Sequence, residues 1–187
     1  MMEKCYEHNQ ELHMLFVDFK QAFDSIDRYK LFKAMEDMKI PYKLITLVKM
    51  TMKNTTARVK VTNKLSNSFT FNAGVRQGDG LSTTLFTLAL HYGVQKIDQR
   101  GTIFTKLSQI CAYADIVIVT RTHKKLTEVY LALEEETSTL GMEINESKTK
   151  YMVTCNYEHR RNAGELRIGN KIFRSSSELP VSGKYHW

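Results

Sequence analysis

Two aspartates sit where a folded chain can least accommodate charge. Asp18 lies near the end of His13-Met14-Leu15-Phe16-Val17-Asp18-Phe19, and Asp115 lies within Cys111-Ala112-Tyr113-Ala114-Asp115-Ile116-Val117-Ile118-Val119. The first run is short and apolar on both faces, the pattern of a central, buried strand. The second has the pattern of a buried hairpin with a carboxylate at its tip. A carboxylate in a buried strand is costly unless it is paired or bound to a metal. Two of them at adjacent strand ends could hold hard cations through oxygen. Taken singly, each Asp could instead merely end a strand or cap a turn.

The surrounding pattern supplies a frame for this pair. A helix is expected around Arg28 to Met38, with Leu31, Phe32, Met35 and Met38 on one face. Pro41 restarts a second helix, with Leu44, Leu47, Val48 and Met52 at helical spacing. Then Ala57, Val59 and Val61 alternate with Arg58 and Lys60, Asn63-Lys64 make a turn, and Phe69 and Phe71 alternate on the return. That is a hairpin signal. A glycine-rich loop, Gly74-Val75-Arg76-Gln77-Gly78-Asp79-Gly80, opens the next helix, which is expected from an N-cap at Ser82 towards Arg100. A further helix spans roughly Lys124 to Leu140, with Leu126, Val129, Tyr130, Leu133 and Leu140 on one side and Gly141 as its stop. Thr149 to Thr154 reads as a strand, and Leu166 to Phe173 as a hairpin about Gly169-Asn170. With the helix pair and hairpin after Asp18 set aside, the remainder is strand, helix, hairpin, helix, strand. This is the ferredoxin-like split βαβ arrangement, an α+β fold with an antiparallel sheet and packed helices. It would place Asp18 and Asp115 on neighbouring central strands.

Composition narrows the function. A chain of 187 residues with two prolines and no internal repeat or low-complexity tract reads as one domain with a real core. Lys and Arg outnumber Asp and Glu by 27 to 20, a net charge of +7, which leans weakly towards a polyanionic partner such as nucleic acid. Cys5, Cys111 and Cys155 are odd in number and never form a CxxC pair, so a disulfide framework or zinc site is not expected. The N-terminus has no apolar h-region. No apolar run approaches the roughly 20 residues that span a bilayer. The expectation is an intracellular chain, in cytoplasm or nucleus, neither secreted nor transmembrane. The glycine loop is not a P-loop, because no Lys-Ser or Lys-Thr follows its last glycine.

Four stretches, in order from about Leu12 to Val153, together resemble the palm motifs of reverse transcriptases of the non-LTR (LINE-like) retrotransposon family. Leu15-Phe16-Val17-Asp18-Phe19-Lys20-Gln21-Ala22-Phe23-Asp24 resembles the first. Gly74-Val75-Arg76-Gln77-Gly78-Asp79-Gly80-Leu81-Ser82-Thr83-Thr84-Leu85-Phe86 resembles the second, with Ser82-Thr83 where Ser-Pro is common. Ala112-Tyr113-Ala114-Asp115 resembles the third, and Leu140-Gly141-Met142-Glu143-Ile144-Asn145-Glu146-Ser147-Lys148-Thr149-Lys150 the fourth.

The resemblance implies a polymerase palm that transfers nucleotides to a primer 3′-OH by two-metal chemistry, with Mg²⁺ as cofactor. RNA template, DNA primer and deoxynucleoside triphosphates are the implied partners; protein partners are left open. Asp18 and Asp115 are the implied metal ligands. Phe23 is the implied steric gate, standing where a ribose 2′-OH would be. Phe19, Phe23, Arg76, Gln77 and Gly78 are the implied nucleotide and template contacts. Lys148, with Lys150 as the alternative, is the implied donor of a proton to pyrophosphate.

The chain departs from the family where Tyr113-Ala114-Asp115 runs directly into Ile116 instead of a second Asp. A one-residue deletion fits better than a substitution, and which aspartate was lost stays open. The resemblance also implies that fingers and thumb are largely missing and that residues 175–187 are diverged or truncated. The chain therefore reads as a reverse transcriptase palm over 1–187 that is expected to be catalytically impaired. The alternative is a non-catalytic nucleic-acid-binding remnant using Arg121, Lys124, Lys125, Arg160 and Arg161. RNA-dependent RNA polymerases fit less well because of the ring at Phe23, and nucleotide cyclases because of the Arg76-Gln77-Gly78 loop.

Overall fold

A computed structural model gives the structure of the chain and describes residues 10–76, 78–97, 108–112, 116–154 and 164–174. Asp115, Gln77, Arg160, Arg161 and residues 175–187 lie outside the described residues.

The apolar run near the N-terminus forms β1 (Leu12–Val17), followed by the short β2 (Phe19–Lys20) and α1 (Ala22–Ser25). Helices α2 (Arg28–Asp37) and α3 (Tyr42–Met52) come next. Short strands β3 (Thr56–Ala57), β4 (Lys60–Val61), β5 (Lys64–Leu65) and β6 (Phe69–Thr70) make one hairpin. The second half contains α4 (Gly80–Gln95), β7 (Ser108–Ala112), β8 (Ile116–Thr120), α5 (His123–Thr139), β9 (Glu143–Ile144), β10 (Lys150–Thr154), β11 (Glu165–Ile168) and β12 (Lys171–Arg174).

The central sheet is antiparallel, in the order β10-β1-β8-β7. This is the expected split βαβ order, with the first strand in the middle. Leu15 stands opposite Ile118 and Tyr151, and Val17 opposite Ile116. Opposed residues share a face, so these four apolar residues and Tyr151 point one way. They join the core formed by Leu85, Phe86, Ala89 and Leu90 of α4 and Leu126, Val129, Tyr130 and Leu133 of α5. The helices approach closely at Gly93, where an added Cβ would lie 3.7 Å from Leu140. After α5, β11 and β12 fold back so that Phe173 meets Tyr130 edge-on at 5.2 Å between ring centres.

Local chemistry sets the helix ends. The Asp27 carboxylate accepts from the N–H groups of Tyr29 and Lys30, and Thr122 Oγ1 accepts from Lys125. Gly141, at φ +84°, turns the chain after α5.

Several expectations are corrected. Ser82 is buried inside α4, and the cap is Asp79, whose carboxylate accepts from Leu81 N–H. Asp is as good a cap as Ser and comes three residues sooner. The tight turn in the exposed hairpin is Thr62-Asn63, not Asn63-Lys64, because Lys64 already pairs with Val61. On α3 the inward face is Ile45, Val48 and Met52, while Leu44 and Leu47 are exposed. Both sets have helical spacing, so periodicity could not choose between them.

Candidate functional site

Asp18 sits one residue beyond β1, and the chain there is held on both sides of its peptide. Its N–H donates to Thr149 Oγ1 at 3.3 Å, and its carbonyl accepts from Asn145 N–H at 2.8 Å. Next, β2 leaves the central sheet and pairs with β9, Phe19 opposite Ile144 and Lys20 opposite Glu143, where the Lys20 ammonium meets the Glu143 carboxylate. The segment from Leu140 to Lys150 therefore clasps the end of the first strand. The outcome is an acidic side chain whose backbone is fixed and whose Oδ2 is buried, with no hydrogen-bond partner among the described residues.

Asp18 lines a cavity of about 170 Å³. Asp18, Phe19 and Phe23 form one wall, Thr83, Phe86 and Thr87 of α4 another, and Ile116 of β8 contributes at the strand end. The volume suits a single ring, judged against the cavities of about 150 Å³ that hold benzene. Phe23 is held in place by Phe86, ring centres 5.0 Å apart.

The glycine loop is brought to the same place by backbone hydrogen bonds. Val75 N–H donates to Phe23 C=O at 2.7 Å, and Gly74 N–H to Ile26 C=O at 2.8 Å. Gly74 adopts φ +73°, and a Cβ there would lie 2.7 Å from Asp24 Cα, so only glycine allows this approach. Arg28 fastens the loop from the far side. Its Nε donates to Gly74 C=O at 2.7 Å and its Nη1 to Met52 C=O at 2.9 Å and Thr55 Oγ1 at 3.3 Å. The guanidinium also lies 5.4 Å from the centre of the Phe71 ring. Burial, with Arg76 nearby, pushes the Arg28 pKa below its ordinary value.

The structure thus gathers Asp18, Phe19 and Phe23 around one cavity and ties Gly74 and Val75, which precede Arg76, to the segment that carries them. Gly78 has φ +85° and open space at its Cβ position, and Arg76 is exposed. Lys148 is exposed and Lys150 half-buried, with Lys150 Nζ donating to Ser147 C=O at 3.5 Å. Neither lysine lines the cavity. Asp115 and Gln77 lie outside the described residues; Ile116, which follows Asp115 in sequence, pairs with Val17, which precedes Asp18. Sequence reasoning missed Arg28, Asn145, Thr149 and the α4 wall. Thr83, Thr87 and Leu90 recur at helical spacing, which was the available signal for that wall. Among the described residues no cluster of three or more His, Cys, Asp or Glu could hold a metal ion. A buried carboxylate oxygen with no donor among those residues nevertheless fits a hard divalent cation.

A split βαβ sheet with a fixed carboxylate at the end of its first strand, beside a ring-sized cavity and a glycine loop, defines a polymerase palm. The family of reverse transcriptases (RNA-dependent DNA polymerases) matches residues 2–176, and the chain belongs to it. Its kinship lies with the non-LTR retrotransposon enzymes. It is 24% identical over 136 residues, 71% of this chain, to the retrovirus-related Pol polyprotein from type-1 retrotransposable element R2 of Nasonia vitripennis. The match spans only 13% of that polyprotein. In fold it resembles the apo telomerase of Candida tropicalis truncated from its C-terminal domain, with TM-score 0.63 and 15% identity over 94% of this chain and 36% of that one. Telomerase of the same organism in complex with a fragment of telomeric RNA gives TM-score 0.62 over 95% of this chain and 32% of that one. The family generally uses divalent metal ions. Among the described residues no helix is long and apolar enough to cross a membrane.

Proposed function

We propose that residues 1–187 are one palm domain of an RNA-directed DNA polymerase whose carboxylate set is one residue short. The reaction is attack of a primer 3′-oxygen on the α-phosphorus of a deoxynucleoside triphosphate paired to an RNA template. The bond to the β-phosphate breaks and pyrophosphate leaves. Asp18 and Asp115 would hold Mg²⁺, which when bound stabilises charge on the attacking and leaving oxygens. Phe23 presents a ring at the cavity wall and excludes a ribose 2′-OH. Phe19, Arg76, Gln77 and Gly78 position template and incoming nucleotide, and Lys148 or Lys150 supplies a proton to the pyrophosphate. The observation that carries this reading is Asp18, whose Oδ2 is buried without a hydrogen-bond partner among the described residues, on the wall of the cavity that Phe19 and Phe23 also line.

The second reading, a non-catalytic nucleic-acid-binding remnant, is favoured by Ile116 following Asp115 directly. Its proposed residues give it less support than their charge suggests, since Lys125 is half-buried and paired with Glu128 at 3.2 Å. Loss of one carboxylate removes charge neutralisation of several kcal/mol, roughly 10²–10⁴ in rate. Primer extension on an RNA template with Mg²⁺ and deoxynucleotides separates the readings, comparing this chain with one carrying an Asp inserted after Asp115. Extension by the inserted chain alone is expected. Extension at similar rates by both removes the need for the second carboxylate. Extension by neither favours the remnant.

A further inference from the structure

The net positive charge of this protein has an address. From Met38 to Gly78 there are eight Lys and Arg and no Asp or Glu. The rest of the chain, with the other nineteen cations against all twenty carboxylates, is close to neutral. The acid-free stretch contains α3 and the β3–β6 hairpin. Every residue of that hairpin from Arg58 to Thr70 is exposed, including Val61 at 67%, Leu65 at 62% and Phe69 at 48%. Among the described residues its strands pair only with one another. A two-stranded hairpin with no other strand or helix packed on it is marginal, and exposed apolar side chains on it are better used against a partner than left in water.

The cations identify the partner. Elsewhere some lysines are matched, as in Lys96 with Glu136, Lys125 with Glu128 and Lys171 with Glu134, and within the stretch Lys49 meets Glu36 at 3.3 Å. Arg58, Lys60 and Lys64 have no ion pair among the described residues. Lys60 stands opposite Leu65 and Lys64 opposite Val61, so each face of the hairpin end presents a cation beside an aliphatic side chain. Six of the eight cations are lysines, a residue depleted in protein interfaces but suited to phosphates. Cations interleaved with exposed rings and aliphatics suit an unpaired strand, which offers phosphates and base faces together.

We propose that the β3–β6 hairpin is a docking surface for single-stranded RNA, with Arg58, Lys60 and Lys64 on phosphates and Phe69 under a base. The choice of RNA over DNA rests on the polymerase reading above. The hairpin is rooted beside the glycine loop, because Arg28 bonds Met52, Thr55 and Gly74 at once. An RNA held on the hairpin would therefore run past the loop proposed to meet the template.

The test is fluorescence anisotropy of a labelled, unstructured 20-nucleotide RNA, titrated with the whole chain across a salt series. Replacing Arg58, Lys60 and Lys64 together by Gln should weaken binding at least tenfold and reduce the log–log salt slope by about 2, since each phosphate contact to a single strand contributes about 0.7. Phe69→Ala should weaken binding about fivefold or more at unchanged slope. All four side chains are exposed, and an unchanged thermal melt confirms folding. Wild-type affinity and slope in the triple variant overturn the proposal. Equal affinity for duplex RNA, for single-stranded DNA or for polyglutamate also overturns it, the last pointing to an acidic protein. Primer extension by the Asp-inserted chain reads the polymerase proposal separately: its failure with RNA binding intact sinks that reading and leaves this one.

Discussion

Gly74 decides more than its size suggests. Its left-handed backbone and the 2.7 Å approach to Asp24 let the glycine loop close on the segment carrying Phe23. An alanine there must both adopt a disfavoured φ and push backbone away, each a cost on the order of 1–3 kcal/mol. Gly74→Ala should lower the urea midpoint correspondingly, whereas Gly164→Ala, with open space around it, should not. Asp18 shows the complementary lesson. Its place in a buried run was legible from sequence, because a lone carboxylate among apolar residues breaks the pattern. Its two backbone anchors, Asn145 N–H and Thr149 Oγ1, were not, because they lie more than 120 residues away and polar residues in a turn give no distinctive period.

At the scale of elements, β1 carries a titratable group among its apolar neighbours. His13 Nδ1 lies 2.7 Å from Tyr151 Oη, and its ring meets His123 edge-on at 6.4 Å. Burial holds the His13 imidazole below its ordinary pKa; Glu11 opposes the shift and His123 adds to it. The folded state therefore favours neutral His13, and the unfolded chain takes up the proton first. The stabilisation is present above the ordinary histidine value of about 6.5 and is lost as pH falls below it towards the folded value. Urea midpoints between pH 8 and 5 should fall less steeply for His13→Gln than for the wild type. Helix α3 marks where element-level reading stopped. Leu44, Leu47, Val48 and Met52 have helical spacing, but so do Ile45, Val48 and Met52, and only contact with the body selects the second set. The strand after Asp115 behaves similarly. Ile116 to Val119 is apolar throughout, so sequence allowed either face inward; pairing with β1 buries Ile116 and Ile118 and leaves Val117 and Val119 half-buried.

Across the whole molecule, Arg28 joins two parts of unequal stability. The sheet and α4–α5 core is densely apolar, while the β3–β6 hairpin has no buried residue between Thr56 and Thr70. Arg28→Leu would leave the Gly74 carbonyl without its buried donor, about 1–3 kcal/mol if it stays dry, while the Met52 carbonyl keeps the Thr55 hydroxyl as donor at 2.9 Å. Hydrogen exchange should then show protection lost at residues 56–71 and kept in β1, β8 and β10. Equal loss in both would mean that the hairpin and sheet open as one unit. Sequence alone determined the order of strands and helices and the family, because hydrophobic period and the four motifs are local properties of the chain. It also shows Ile116 directly after Asp115, which is a matter of reading residues in order. The tertiary structure decided which helix faces turn inward, that Asp18 Oδ2 has no donor among the described residues, and that Arg58, Lys60 and Lys64 stand on an exposed hairpin. Those outcomes depend on which distant groups meet, and no local pattern encodes them.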